Sequence, residues 1–319
     1  MRDVIRPSCH VQVGKTKMTY RPHSLVMLFA LMGQAAWFHT VAIAEDKPAV
    51  DVGNEPTPLN KSGTVLVDFK GKRLLIKSEV VLREGMLEML ACLKQTKEHE
   101  SVLSVDAKAQ LVHAGLIALG AEVGSPAKFV PEYKPATGQP VDVFVTWTDT
   151  KGKLQRVPAQ SWVRHATRRY FSQKLEVFPK GLKLPTEPDL KWDEKHRELL
   201  WYGTMSTADR DTLLKLTTDT GFRNAIKTIF DQSQVRQMEA RWVFAGSGFN
   251  TDAATGEKYY LAESGELICV ANFATATVDL AVESSATNDG LMFEAYTERI
   301  PPVGTKVTIE LVPVFKTTK

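Results

Sequence analysis

Residues 86–105 read MLEMLACLKQTKEHESVLSV, and the reading of their first half decides the fold class. Met86 to Leu93 is apolar except for Glu88, and Gly85 stands directly before it. This run is expected to form a short core helix opened by Gly85. The polar stretch Lys94 to Glu100 then leads into a β-type run, Ser101 to Val105. A second core helix is expected over 107–119. Asp106 is a suitable N-cap there and Gly120 a suitable stop, while Leu111, Gly115 and Leu119 line one side, with Val112 and Leu116 beside them.

Outward from this stretch the pattern is mostly β. Thr64 to Phe69 and Arg73 to Leu82 form a hairpin joined at Lys70-Gly71-Lys72. Val141 to Thr148 and Lys153 to Val157 form another. Strand character returns at Arg241 to Ala245, Lys258 to Ala262, Glu266 to Val270, Met292 to Tyr296 and Thr305 to Val312. The texture differs between His165 and Met238. Pro179, Pro185 and Pro188 mark loop there, followed by helical runs over Trp192 to Trp201, Thr207 to Leu216 and Phe222 to Met238. Ser206 with Asp209 three residues on makes a capping-box pattern for the second of these. Together these readings predict an α+β fold. It is one domain over 61–319 with mixed or antiparallel sheet segments, two short core helices and a helical insertion at about 166–238. The aromatics Trp192, Trp201, Phe222 and Phe230 of the insertion have core spacing. The same segment is the expected contact for an envelope protein or a small ligand.

The first residues point to export. Arg21 and His23 precede the apolar run Leu25 to Met32, which continues to Phe38, and Ala42-Ile43-Ala44 fits the small-x-small rule for signal cleavage. Cleavage is expected after about Ala44, so residues 1–44 are an N-terminal extension with a signal peptide. Met18 to Ala44 alone makes a signal of normal length, and the start of translation, Met1 or Met18, stays open. The apolar run is shorter than the roughly 20 residues of a membrane span, so the mature chain is expected in the periplasm or outside, not integral to the membrane. Residues 45–60 are polar, with Pro48, Pro56 and Pro58, and read as a solvated linker. The net charge of +3 and the absence of a Lys/Arg-rich run in the body argue against nucleic acid as a partner.

Signal cleavage removes Cys9 and leaves Cys92 and Cys269. An oxidising compartment permits a disulfide between them. Two thiolates cannot hold an ordinary iron–sulfur cluster, and the pair has no CxxC spacing. The densest chemical cluster is Lys97-Glu98-His99-Glu100-Ser101. Strand alternation would put His99 and Ser101 on one face and Glu98 and Glu100 on the other. His113, on the following helix, is expected to approach His99, so that the two with a carboxylate form a weak metal candidate. Cys92 is a buried thiol, half of a disulfide, or a reactive thiol assisted by His99. Two functional readings follow. One is a non-enzymatic binding or accessory module. The other is a metal- or thiol-dependent enzyme or redox accessory centred on Cys92, Glu98, His99, Glu100 and His113.

Several segments, taken in order, carry a family resemblance. They are Arg83-Glu84-Gly85-x-Leu87-Glu88, Ala91-Cys92, Lys97 to Ser101, His113-Ala114 and Val143-x-Val145-x-Trp147, then Trp242 to Phe249, Tyr260-x-Ala262 and Gly265-x-Leu267-Ile268-x-Val270-x-Asn272-Phe273. This series resembles the YdjY-type domain of bacterial cell-envelope proteins, many of them planctomycete. It covers roughly 61–165 and 240–313. In that family the strand like Asp142–Val157 leads quickly to the W-x-F-x-G-S stretch, which marks the residues between them here as an insertion. Some members carry a ferredoxin-like label, implying redox work. The two cysteines of this mature chain do not support it.

Overall fold

Met89–Leu93 is a strand, and all five of its side chains are buried. It lies between two other strands, parallel to one and antiparallel to the other, so both of its edges are paired. A strand buried on both faces has no polar alternation, and a five-residue apolar run looks the same in a helix. The expected α+β class with two core helices is therefore corrected: the protein is mostly β, built on a closed barrel. The computed structural model describes residues 55–284 and 292–315, and the expected signal peptide with its cleavage point lies outside them.

Eight strands close the barrel: β1 (Arg73–Val80), β2 (Met89–Leu93), β3 (Ser101–Val105), β4 (Pro140–Thr148), β5 (Trp242–Phe244), β6 (Ile268–Cys269), β7 (Val278–Leu280) and β8 (Lys306–Pro313). Around it the order is β1, β8, β4, β5, β7, β6, β2, β3 and back to β1. The β2–β3 and β6–β7 pairs are parallel and the other six antiparallel. Closure rests on a short seam, where Glu79 faces Ser104 and Val80 faces Leu103. β8 is the best-paired strand, six residues of it facing β1 and six facing β4. Val65–Asp68 extends the sheet beside β1, and Leu154–Pro158 beside β4, as the two expected hairpins require. The end of the expected linker is tied down: Thr57–Pro58 pairs with Leu66 and Val67, and Leu59 packs on the core.

Alternate residues fill the interior. Leu74, Ile76 and Val80 of β1 join Val143 and Val145 of β4 and Val307, Ile309 and Leu311 of β8 in one buried cluster. Each such side chain contributes about 1.5–3 kcal/mol on burial. Helix α1 (Ala109–Ala118) is the expected second helix, packed on β1 and on Val65–Asp68. Its Gly115 permits this approach, since a Cβ there would meet Leu74 Cδ1 at 2.3 Å. The cap differs from expectation. The Glu263 carboxylate accepts from the N–H groups of Ala109 and Gln110 at 3.2 and 3.0 Å, while Asp106 pairs with Lys94 at 3.1 Å.

The insertion is not wholly helical. Tyr170–Lys174, Glu198–Tyr202 and Lys191–Asp193 form a three-stranded antiparallel sheet with Glu198–Tyr202 in the middle. The run expected as a helix over Trp192 to Trp201 is thus a hairpin, turned at Arg197 with φ +53°. Leu199 and Trp201 alternate inward, which is strand spacing. Helices α2 (Thr207–Lys215) and α3 (Thr220–Ser233) follow, and the Ser206–Asp209 capping box is present. Phe171, Leu199, Trp201, Phe222, Ile226 and Ile229 belong to a second core distinct from that of the barrel. Among the described residues, no helix is long and apolar enough to cross a membrane.

Candidate functional site

Residues Glu98–Glu100 form one turn of 3-10 helix before β3, so the strand alternation expected for them does not hold. Each side chain goes its own way. Glu100 turns in toward Lys97, Glu98 turns toward β3, and His99 points out with 77% of its side chain exposed.

Lys97 is the hub. Its ammonium lies 3.2 Å from Glu88, 3.3 Å from Glu100 and 3.6 Å from Glu266, and 4.7 Å from the centre of the Phe273 ring. Three segments, at 88, 97–100 and 266–273, meet at this group. Gly265 lets the third come close: its φ is +129°, and a Cβ there would sit 2.6 Å from Thr96 Oγ1. Burial, and then hydrogen bonding with Glu100, raises the Glu88 carboxyl above its ordinary value. Burial pulls the Lys97 ammonium down, but Glu88, Glu100 and Glu266 together outweigh it and raise it. Three carboxylates around one lysine therefore hold that lysine charged and stationary.

Two buried groups flank the hub. Cys92 and Cys269 are free thiols in a small apolar cluster with Met89 and Ala276. Burial pushes both thiols up, Cys269 well up, which disfavours the nucleophilic thiolate. In the second group, Asn272 links Tyr133 to Asp279. Its Oδ1 accepts from Tyr133 Oη at 2.8 Å, and its Nδ2 donates to Asp279 Oδ1 at 3.1 Å. Burial raises the Asp279 carboxyl to about 7, despite backbone N–H donors from Leu280 and Phe273.

The residues singled out in sequence are only partly brought together. His99 Nε2 lies 3.8 Å from Glu100 Oε2. His113 is half-buried on α1, with Nδ1 3.1 Å from Tyr260 Oη and its ring edge-on to Phe244 and Phe249. Burial lowers its pKa. Cys92 lies among Ser101, Lys97 and Thr96. Among the described residues, no group of three or more His, Cys, Asp or Glu is placed to hold a metal ion. The expected approach of His113 to His99 is thus replaced by two separate environments. Glu88, Glu266, Phe273 and Asp279 were not singled out. The first three do lie in the segments that carry the family resemblance, a signal that could have found them.

Glu98 opens onto a different feature. Its Oε1 accepts from Ser104 Oγ at 2.6 Å and from the Gln95 N–H at 3.2 Å. It lines a cleft of about 270 Å³ along the barrel seam, with Lys77 and Glu79 of β1, Ser104 of β3 and Lys306 of β8. The seam has only two facing residue pairs, so polar side chains rather than further strand fill the space beside it.

The class these features define is a closed, mainly antiparallel eight-stranded barrel with a polar cleft at its seam and a lysine–carboxylate hub beside it. A family model described as the YdjY domain matches residues 65–176 and 214–312, and the chain belongs to that family. The match breaks over 177–213, inside the insertion. No curated protein and no solved structure matches the chain.

Proposed function

We propose that this YdjY-domain protein is an exported binding or accessory module of the cell envelope, taking a small polar ligand in the cleft at the barrel seam. One observation carries the reading: the cleft holds a carboxylate, Glu98, already fixed by Ser104 and the Gln95 N–H. Fixing a charged group before the ligand arrives lowers the ordering cost of binding. The catalytic-type residues support the same reading by their separation. Cys92 is buried with its thiol pushed up, and His99 and His113 serve different partners. Export rests on the apolar run Leu25 to Phe38 and on Ala42-Ile43-Ala44.

Two measurements test this. N-terminal sequencing of the protein recovered from the periplasm or medium is expected to begin at Glu45. An intact N-terminus in the cytoplasmic fraction would refute export. A thermal-shift screen of the mature chain against small polar metabolites is expected to return hits that a Glu98→Ala variant loses. Hits unchanged in that variant, or none at millimolar concentration, would refute the cleft as the ligand site.

A further inference from the structure

The charges lining the seam cleft do not all cancel. Lys306 pairs with Glu79, and Lys94 pairs with Asp106. That leaves Lys77, whose ammonium has no hydrogen bond or ion pair among the described residues, and Glu98, which has hydrogen bonds but no cation. One unpaired cation and one unpaired anion therefore share one small space.

Their placement follows from the strands. Lys77 and Glu79 lie two residues apart on β1, hence on the same side and about 7 Å apart along the strand. Ser104 faces Glu79 across the seam and holds Glu98 through its hydroxyl. The strand register therefore sets the Lys77 position about 7 Å along β1 from the level at which Ser104 holds Glu98. A ligand with a single charge would satisfy one end and desolvate the other without compensation. The volume of about 270 Å³ is small for a ligand pocket, which commonly runs from about 300 to 1,000 Å³. A free α-amino acid carries both charges on one carbon. A dipeptide separates them by two residues of extended chain, about 7 Å.

We infer that the cleft is a site for a dipeptide-sized zwitterion, whose carboxylate meets Lys77 and whose ammonium meets Glu98. This rests on the seam cleft being the ligand site and adds the class of ligand. Thr64 and Ser104 also line the cleft, and their hydroxyls already pair with Ser62 Oγ and Glu98 Oε1.

The test is calorimetric titration of the mature chain at neutral pH and low salt with L-alanyl-L-alanine and glycyl-glycine. N-acetyl-alanyl-alanine, lacking the ammonium, and alanyl-alaninamide, lacking the carboxylate, serve as the comparison. The free dipeptides are expected to bind, and each blocked form to bind at least tenfold more weakly. Lys77→Met is expected to erase the difference between dipeptide and amide, and Glu98→Gln the difference between dipeptide and acetylated form. Circular dichroism confirms that both variants fold. Equal binding of the blocked forms overturns the zwitterion assignment but leaves the cleft as a binding site, whereas dipeptide binding unchanged in both variants places the dipeptide outside the cleft and overturns the assignment as well. No heat from either dipeptide overturns the assignment as well, and the metabolite screen then decides whether the cleft takes a ligand of another class.

Discussion

Lys97 faces Glu88, Glu100 and Glu266 at once, so removing its charge leaves three carboxylates to repel one another in a half-closed space. Lys97→Met is expected to cost about 3 kcal/mol in urea unfolding at pH 7, the scale for breaking a buried ion pair from one side. Part of that loss should return as pH falls and Glu88, whose carboxyl burial already raises, takes up a proton. A variant as stable as the parent at pH 7 would mean that the hub contributes nothing. Asp279 behaves oppositely. Its carboxyl is raised from the ordinary 3.8 to about 7, so the folded protein holds a proton there that the unfolded chain has released. Stability from this group is complete below about pH 4 and is lost as pH rises to 7, by on the order of 4 kcal/mol at about 1.4 kcal/mol per unit. Asp279→Asn is expected to flatten that fall, and a slope unchanged in the variant would assign it to another group. At this scale the sequence was half legible. The run Lys97 to Ser101 stands out by density, but of the partners of Lys97 it contains only Glu100; Glu88 and Glu266 lie in other segments, and adjacency says nothing about which loops meet. His99 and His113 looked like a pair because they are close in the chain, yet a turn sends one outward and a helix turns the other onto Tyr260.

At the scale of elements, the two ends of the expected caps can be told apart. Glu263→Ala should cost about 1 kcal/mol, because two N–H groups of α1 lose their acceptor. Asp106→Ala should cost almost nothing, since it removes only an exposed ion pair. Thermal denaturation of both variants checks this, and the reverse order would restore Asp106 as the cap. The sequence signalled α1, α2 and α3 because helical spacing and capping chemistry are local. It misled at β2 and at the Lys191–Tyr202 hairpin. β2 is apolar on both sides, so the period that separates strand from helix is absent. In the hairpin, Leu199 and Trp201 do alternate, but the charged turn at Glu194 to Arg197 reads equally well as helix surface.

For the whole molecule, the two cores carry separate consequences. The family match omits 177–213, a stretch that supplies Leu190, Leu199, Trp201, Met205 and Leu213 to the second core and nothing to the first. A chain with 177–213 replaced by a short Gly/Ser linker is expected to keep the barrel's β-type circular dichroism while binding a hydrophobic dye through Phe222, Ile226 and Ile229. Loss of the β signal would make the insertion part of the barrel's own fold. Barrel closure itself was illegible in the sequence, because pairings such as Leu74 with Leu311 join residues that nothing local connects.

The position of β8 sets the order of events in the life of the chain. It is the last strand made, yet it stands between β1 and β4 and holds both. A nascent chain on the ribosome has every other stave of the barrel long before it has this one, and without it the wall stays open along two strand edges. The wall can therefore close only once the last of its eight strands in chain order is in place.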